Sequence, residues 1–266
     1  MHVIHGYNHV PLALRGAAIA IGNFDGVHRG HQALLREAIA QGHAHKSNAG
    51  AMIFEPHPRE FFQPKEMQFR LTSLVQKLAL FERIGLDLAV VIPFDVTIAS
   101  LGPDDFVERV LVAGLGVRHV VVGYDFFFGK SRAGTPESMR AAGATLGFGV
   151  SVLAPVAESG AAFSSTAVRL LLTQGDVKGA AHALGHWWRV GGKVVGGRFG
   201  VDHFDSRRRI RVEIYIQETN QRRCSRSGSS HAARSGCRDC NAACCGIDAH
   251  TTMRHTRVRM IGSPAR

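Results

Sequence analysis

No cysteine precedes Cys224 in this 266-residue chain, and all five (Cys224, Cys237, Cys240, Cys244 and Cys245) fall in its last quarter. The body of the chain therefore has neither a disulfide framework nor a thiolate metal centre. Leucine runs out in the opposite sense, since none follows Leu184, and no proline lies between Pro155 and Pro264. From Gln217 to Gly246 there is no Val, Ile, Leu, Met, Phe, Tyr or Trp. Such a stretch cannot bury enough apolar surface to offset the entropy of ordering it, so residues 217–266 are expected to be largely disordered. Long apolar runs are missing too: none approaches the roughly 18–20 residues of a membrane helix. The opening MHVIHGYNHVPLALRG has no basic start, apolar stretch and cleavage site in succession. The expectation is a cytoplasmic protein with no membrane partner.

What is present fits a globular body, with 45% hydrophobic and 20% charged residues. The length allows one or two domains. Charge divides unevenly: residues 1–200 hold 19 Lys+Arg against 15 Asp+Glu, residues 201–266 hold 13 against 6. Most of the net +11 therefore lies in the last quarter.

Apolar runs alternate with segments of helical periodicity, the pattern of βαβ units around a parallel sheet. Strands are expected at Ala17 to Gly22, Gly50 to Phe54, Leu88 to Ile92, His119 to Gly123 and Gly149 to Leu153. Helices are expected at Gly30 to Gln41, Ser73 to Arg83, Pro103 to Val112, Pro136 to Leu146, Ser165 to Thr173 and Asp176 to Leu184. Parallel sheets bind ligands outside the carboxyl ends of their strands. The loops at 22–31, 54–60 and 123–134 are thus expected to share one crevice. No internal repeat is present.

The first of these loops reads Gly22-Asn23-Phe24-Asp25-Gly26-Val27-His28-Arg29-Gly30-His31 and leads directly into a helix. Glycines let backbone approach a ligand, a helix start presents free N–H groups, and imidazoles three residues apart share one side of the first turn. That combination points to phosphate binding. A helix cap with incidental histidines, or a zinc pair at i, i+3, are the competing readings.

Four further motifs follow in order: Phe54-Glu55-Pro56-His57-Pro58; Arg70-Leu71-Thr72-Ser73 with Lys77; Val122-Gly123-Tyr124-Asp125-Phe126-Phe127-Phe128-Gly129; and Ser164-Ser165-Thr166-Ala167-Val168-Arg169 with Gly175-Asp176-Val177. With the first loop, these resemble the HxGH nucleotidyltransferase superfamily and, within it, the bacterial bifunctional riboflavin kinase/FAD synthetase family. The resemblance spans roughly residues 15–186. It implies an α/β, Rossmann-like nucleotidyltransferase domain over residues 1–186 that adenylylates FMN, so that FMN and ATP with Mg²⁺ give FAD and pyrophosphate. The attacking FMN phosphate is already anionic, so positioning and charge neutralisation suffice.

By that resemblance His28, His31 and Arg169 are the catalytic candidates. Gly22, Asn23, Phe24, Asp25, Gly26, Gly30, Ser164, Ser165 and Thr166 would surround ATP, and Pro56, His57, Pro58, Asp125 and Phe128 would hold FMN. No resident metal site is implied. For Ser164 to Thr166 a plain N-cap cluster is the alternative; for Phe54, Phe126, Phe127 and Phe128 it is ordinary core. An apolar Phe127 departs from the polar residue usual in the family. Lys130 to Gly134 reads either as a mobile basic loop over the site or as a solvated turn.

Beyond Gly185 the resemblance weakens. WWRVGGKVVGGRFG, residues 187–200, is similar to the start of the kinase β-barrel, so 187–216 is expected to be a remnant of that domain. The family's Gly-Arg-x-x-Gly-Phe-Pro-Thr-Ala-Asn element is absent. A frame shift near residue 200 would explain both that loss and the change in composition, and kinase activity is expected to be lost. Trp187, Trp188 and the strand-like Ile210 to Ile216 would then expose apolar surface and invite association. Two rival readings are an inactive nucleotide-binding relic and a tail that binds zinc or nucleic acid through Cys237, Cys240, His250, His255 and its positive charge. Only nine residues separate the two ligand pairs, and no aromatic residues interleave the charges, so no specific nucleic-acid partner is expected.

Overall fold

Along each central strand the apolar residues alternate between two cores, as a strand's two-residue side-chain period requires when both faces are covered. The computed structural model describes residues 1–63, 69–158 and 160–190, together with a two-residue strand, Glu213–Ile214. The expected disorder of 217–266 and most of the expected barrel remnant lie outside the described residues.

Strands β1 (His2–His5), β2 (Ala18–Ile21), β3 (Ala49–Glu55), β4 (Leu88–Pro93), β5 (His119–Gly123) and β6 (Gly149–Leu153) form one parallel sheet in the order β1-β4-β3-β2-β5-β6. On one face Ile19, Met52, Val90, Ile92, Val120 and Val122 join a core with Phe106, Val110, Leu111 and Met139. On the other, Ala20, Ala51, Ile53, Ala89, Val91 and Val121 meet Leu35, Ala38 and Phe81. Each fully buried Val, Leu or Ile of this kind contributes about 1.5–3 kcal/mol.

The helices covering these faces are α1 (Arg29–Ala44) and α3 (Leu74–Ile84) on the second face, and α5 (Pro103–Asp105) with its π-helical continuation Phe106–Leu115, and α6 (Pro136–Leu146), on the first. Short helices α2 (Pro58–Phe62) and α4 (Val96–Ser100) lie between them in the chain. Ser73 and Thr135 close capping boxes at the starts of α3 and α6.

After α6 a two-stranded hairpin, β7 (Ala157–Glu158) and β8 (Ala161–Ala162), leads to α7 (Ser165–Gln174) and α8 (Val177–Leu184). These helices build a third small core in which Leu71, Val168, Leu172, Ala180 and Leu184 pack with Trp188. Trp188 is buried and its indole N–H donates to Leu71 O at 2.9 Å. The expectation that both tryptophans expose apolar surface is corrected: only Trp187 is exposed, at 41%. Trp188 is followed by β9 (Arg189–Val190), which pairs in parallel with β10 (Glu213–Ile214).

The five expected strands are all present, β5 and β6 with the bounds read from the sequence. The helix expected at Pro103 to Val112 is replaced by a short α-helical turn and a π-helix ending at Leu115. Of the two readings of the 130–134 segment, its backbone contacts are those of a turn with residues 130–133 exposed. Phe128 and Gly134 exchange backbone hydrogen bonds of 3.1 and 2.8 Å, and Lys130 N donates to Leu101 O at 2.7 Å. Among the described residues no helix is long and apolar enough to cross a membrane.

Strand order reverses at β2. The chain leaves it for β3 and β4 on one side and later returns to β5 and β6 on the other. In open parallel sheets ligands bind outside the carboxyl ends of the strands at such a switch point, which here is where the loop after β2 lies.

Candidate functional site: two helix starts around a paired aspartate

The turn after β2 adopts backbone conformations that L-residues rarely visit. Phe24, Gly26 and Val27 have φ of 49°, 83° and 44°. Gly26 also has no room for a side chain, because a Cβ there would lie 2.8 Å from Leu71 Cδ1. Phe24 and Val27 are fully buried and anchor the turn, with Phe24 edge-on to Phe81 at 5.5 Å and to His31 at 5.2 Å.

His28 is the N-cap of α1, and its Nδ1 accepts the His31 backbone N–H at 3.4 Å. A ring nitrogen that accepts is unprotonated, which leaves Nε2 as the donor. The His28 and His31 rings stack with centroids 3.6 Å apart. Burial lowers the His28 pKa to about 4, partly opposed by Asp25. His31 is held well below the ordinary imidazole range, first by burial, then by His28 and Lys77. Both rings are therefore neutral at neutral pH. His31 Nδ1 is buried without a hydrogen-bond partner.

Asp25 joins three chain segments that are far apart in sequence. Its carboxylate accepts from the Leu71 and Thr72 amides at 3.0–3.2 Å, from the Thr72 hydroxyl at 3.2 Å and from the Arg169 guanidinium. Arg169 also donates to Phe69 O at 2.9 Å, and the Ser165 hydroxyl donates to Asp25 O at 2.8 Å. Thr72 in turn accepts the Gly26 amide at 2.9 Å, and His186 Nε2 lies 3.1 Å from Gly26 O. These bonds draw the start of α7 to the loop that starts α1. Ser164 caps α7 through the Ala167 amide at 3.1 Å, Ser165 faces Asp25, and Thr166 is exposed. Helix starts carry unpaired N–H groups and the positive end of the helix dipole, so two of them beside neutral imidazoles make an arrangement chemically suited to an anion such as phosphate.

The candidate residues separate into three groups. Asp25, Gly26, His28, His31, Ser164, Ser165 and Arg169 are brought together by the contacts above. Part of the guanidinium of Arg169, a catalytic candidate, is already bonded to Asp25 and Phe69. Phe24 meets His31 through its ring and is otherwise core, while a Cβ on Gly30 would come within 3.3 Å of Phe163 O. Gly22 closes β2 with a hydrogen bond to Met52 O at 3.2 Å. Asn23 has its O accepting from Lys77 Nζ at 2.7 Å, while its side-chain Oδ1 is buried and unpaired.

The second group follows β3. The Glu55–Pro56 peptide is cis, and His57 caps α2 through the Arg59 amide at 3.1 Å. Pro58 is the first residue of α2. Burial lowers the His57 pKa, and Asp25, Lys77, Arg70 and Glu60 are close enough to influence it. Arg70 pairs with Glu55 at 2.7 Å and with Glu60, raising its own pKa and lowering that of Glu60.

In the third group, after β5, Asp125 is exposed. Phe128 is buried against Phe106 and Phe126, with centroids 5.6 and 5.4 Å away. Arg132 lies over the exposed Phe127 ring at 5.2 Å.

Lys77 belongs to the Arg70–Lys77 motif, which by itself assigns it no role. It is 4% exposed, and burial lowers its pKa although Asp25, Glu55 and Glu60 oppose the shift. Its helical phase carries the signal: Lys77 lies three residues after Leu74 and four before buried Phe81, on the covered face of α3. Beside the two helix starts, Arg29, Gln32, Val156, Ala157 and Phe163 border a cleft of about 500 Å³.

A family model described as FAD synthetase matches residues 11–167. The chain is 38% identical over 198 residues to a protein of Pseudomonas fluorescens named bifunctional riboflavin kinase/FMN adenylyltransferase, covering 74% of this chain and 63% of that protein. It is 37% identical over 198 residues to the identically named protein of Escherichia coli strain K12, with the same coverage. The chain thus spans less than two thirds of the length of these relatives. Among solved structures, one titled as a macrolide-efflux protein from Streptococcus pneumoniae superposes with a TM-score of 0.62 at 24% identity, covering 70% of this chain and 62% of that one. That likeness concerns the fold alone. Matched over residues 11–167, which include the Asp25 loop, both histidines and the start of α7, the chain belongs to the FAD synthetase family.

Proposed function

We propose that this protein is an FMN adenylyltransferase: it transfers AMP from ATP to FMN, giving FAD and pyrophosphate. The observation that carries the reading is the convergence of the α1 and α7 starts around Asp25, with His28 and His31 stacked at the mouth of the first. An FMN phosphate oxygen attacks the α-phosphorus of ATP, the new P–O bond forms, and the bond to the β-phosphate oxygen breaks to release pyrophosphate. No proton has to leave the nucleophile, so the protein's part is alignment and charge stabilisation.

His28 Nε2–H and the free amides of the two helix starts would donate to the phosphates. A triphosphate seated there adds negative charge, which raises the imidazole pKa values above their ligand-free positions. Arg169, tied to Asp25, positions the α7 start and has donors left for phosphate. The cleft along Arg29, Gln32, Val156, Ala157 and Phe163 suits the nucleoside. The loops carrying Pro56, His57, Pro58 and Asp125 would receive FMN, with Phe128 packing that wall from behind.

Mg²⁺ bound to ATP neutralises charge on the phosphates and takes most of its ligands from phosphate and water. The protein's donors fit a metal carried by the nucleotide. Asn23 Oδ1 is an unpaired buried oxygen, and among the described residues no group of three or more His, Cys, Asp or Glu could hold a metal alone.

The same reading takes the kinase reaction named for the relatives to be lost from this chain. Its support is the sequence after residue 200, which lacks the kinase element quoted above. Residues 187–216 are read as what remains of that domain and 217–266 as a tail without catalytic function.

The test of the adenylyltransferase is His28→Ala and His31→Ala in an assay of FAD formation. Each is expected to reduce kcat by about 10²–10³-fold, the usual cost of removing one transition-state donor. Full activity in both variants would remove the proposed cradle from the mechanism.

A further inference from the structure

At the amino ends of β2, β3 and β5, opposite the crevice, three cationic side chains come from three separate loops. Arg15 precedes β2, Lys46 precedes β3 and Arg118 precedes β5; with Gly16, Ser47 and Asn48 they line a cleft of about 510 Å³. Its lining contains no carboxylate, and among the described residues none of the three cations forms an ion pair.

Backbone carbonyls hold the two arginines in place without neutralising them. Arg15 Nη2 donates to Ala113 O at 2.8 Å and Arg118 Nη1 to His45 O at 3.5 Å. Each guanidinium has five N–H donors, so most remain free. Asn48 Nδ2 ties its loop to Ala13 O at 3.0 Å, and Lys46 sits in a left-handed turn with φ of 52°. Carboxylates at this end are engaged elsewhere: Asp87 accepts the Ala49 amide at 2.9 Å, while Glu37 accepts from Ser151 and Gln41. Three like charges held around one concavity repel one another and concentrate a positive field that a compact polyanion would relieve.

We propose that the Arg15–Lys46–Arg118 cleft is a second anion site, separate from the catalytic crevice, that takes a small polyphosphate such as inorganic pyrophosphate or the phosphate tail of a nucleotide. Guanidinium forks match phosphate oxygens in pairs, and a flexible ammonium completes the charge.

The test is equilibrium dialysis of the full chain against labelled pyrophosphate, with parallel arms of ATP and of adenosine. The wild-type chain is expected to bind more than one pyrophosphate, and Lys46→Glu to weaken the additional site by about tenfold or more through charge reversal. The FAD-forming rate and melting temperature of that variant should stay at wild-type values. Arg118→Gln, exposed at the same rim, should weaken the same site and checks that the loss is not peculiar to one loop. Competition by ATP as well as pyrophosphate would identify a nucleotide tail; competition by pyrophosphate alone would identify the inorganic anion. A single pyrophosphate per chain, undiminished binding in both variants, or equal binding of adenosine would each overturn the proposal.

Discussion

At the carboxyl ends of the strands Asp25 meets Arg169, and Arg70 meets Glu55 and Glu60, whereas at the amino ends Arg15, Lys46 and Arg118 share a cleft whose lining has no carboxylate. At the first end, charge is invested in geometry. Asp25 is 5% exposed, and its partners fix two loops and a helix start before any ligand arrives. At the second end, Lys46 and Arg118 are exposed and, among the described residues, no ion pair holds them. One sheet thus carries a set of loops tied together by paired charge at one end and an unpaired cluster of cations, among the described residues, at the other. Substitutions should accordingly cost folding energy at the first and only binding at the second.

The largest expected effect comes from Asp25→Ala. It leaves Arg169 and two amides without their acceptor, and breaking a buried pair of this kind costs about 3–5 kcal/mol. Urea unfolding should show that loss, with FAD formation falling alongside it. A midpoint unchanged from wild type would mean that Asp25 does not hold the loops together.

Acid should act on the same end. The folded-state pKa of His28 is lowered from 6.5 to about 4, so below pH 6.5 the unfolded chain takes up a proton that the folded chain refuses. Stability is unaffected by this group above about pH 6.5, declines as the pH falls toward about 4, and levels off below it. The full effect is about 3 kcal/mol, with His31 acting in the same direction. Urea midpoints measured across that window should slope more steeply for wild type than for His28→Asn; parallel slopes would show that His28 is not buried as a neutral ring.

A smaller effect is expected at Trp188→Phe, which keeps most of the packing and removes the indole bond to Leu71 O. The loss should be about 1 kcal/mol, read by thermal unfolding. At the other end of the sheet, Lys46→Gln should change stability by less than about 0.5 kcal/mol, as exposed substitutions usually do. A loss as large as that at Trp188 would erase the contrast between the two ends.

The sheet was legible because Leu88–Pro93 and His119–Gly123 are short apolar runs bounded by turns, and Pro136 and Ser73 mark helix starts. β1 was not, since His-Val-Ile-His at an edge carries too little apolar pattern. α2 was hidden because Pro-His-Pro reads as a turn, although a proline is well suited to the first helical position. In the site, the histidine pair is local and could be read. The Asp25–Arg169 bond joins residues 144 apart, and nothing in either neighbourhood announces it. Buried Lys77 had a readable signal, its phase with Leu74 and Phe81, overridden by the default that lysines face water.

The most direct test is incubation of the purified full chain with FMN, ATP and Mg²⁺, following FAD and pyrophosphate by chromatography, with a parallel sample containing riboflavin in place of FMN. The account predicts FAD and pyrophosphate in equal amounts from FMN, and no FMN from riboflavin. A folded chain that yields no FAD from FMN would contradict the adenylyltransferase reading, and FMN formed from riboflavin would contradict the loss of the kinase.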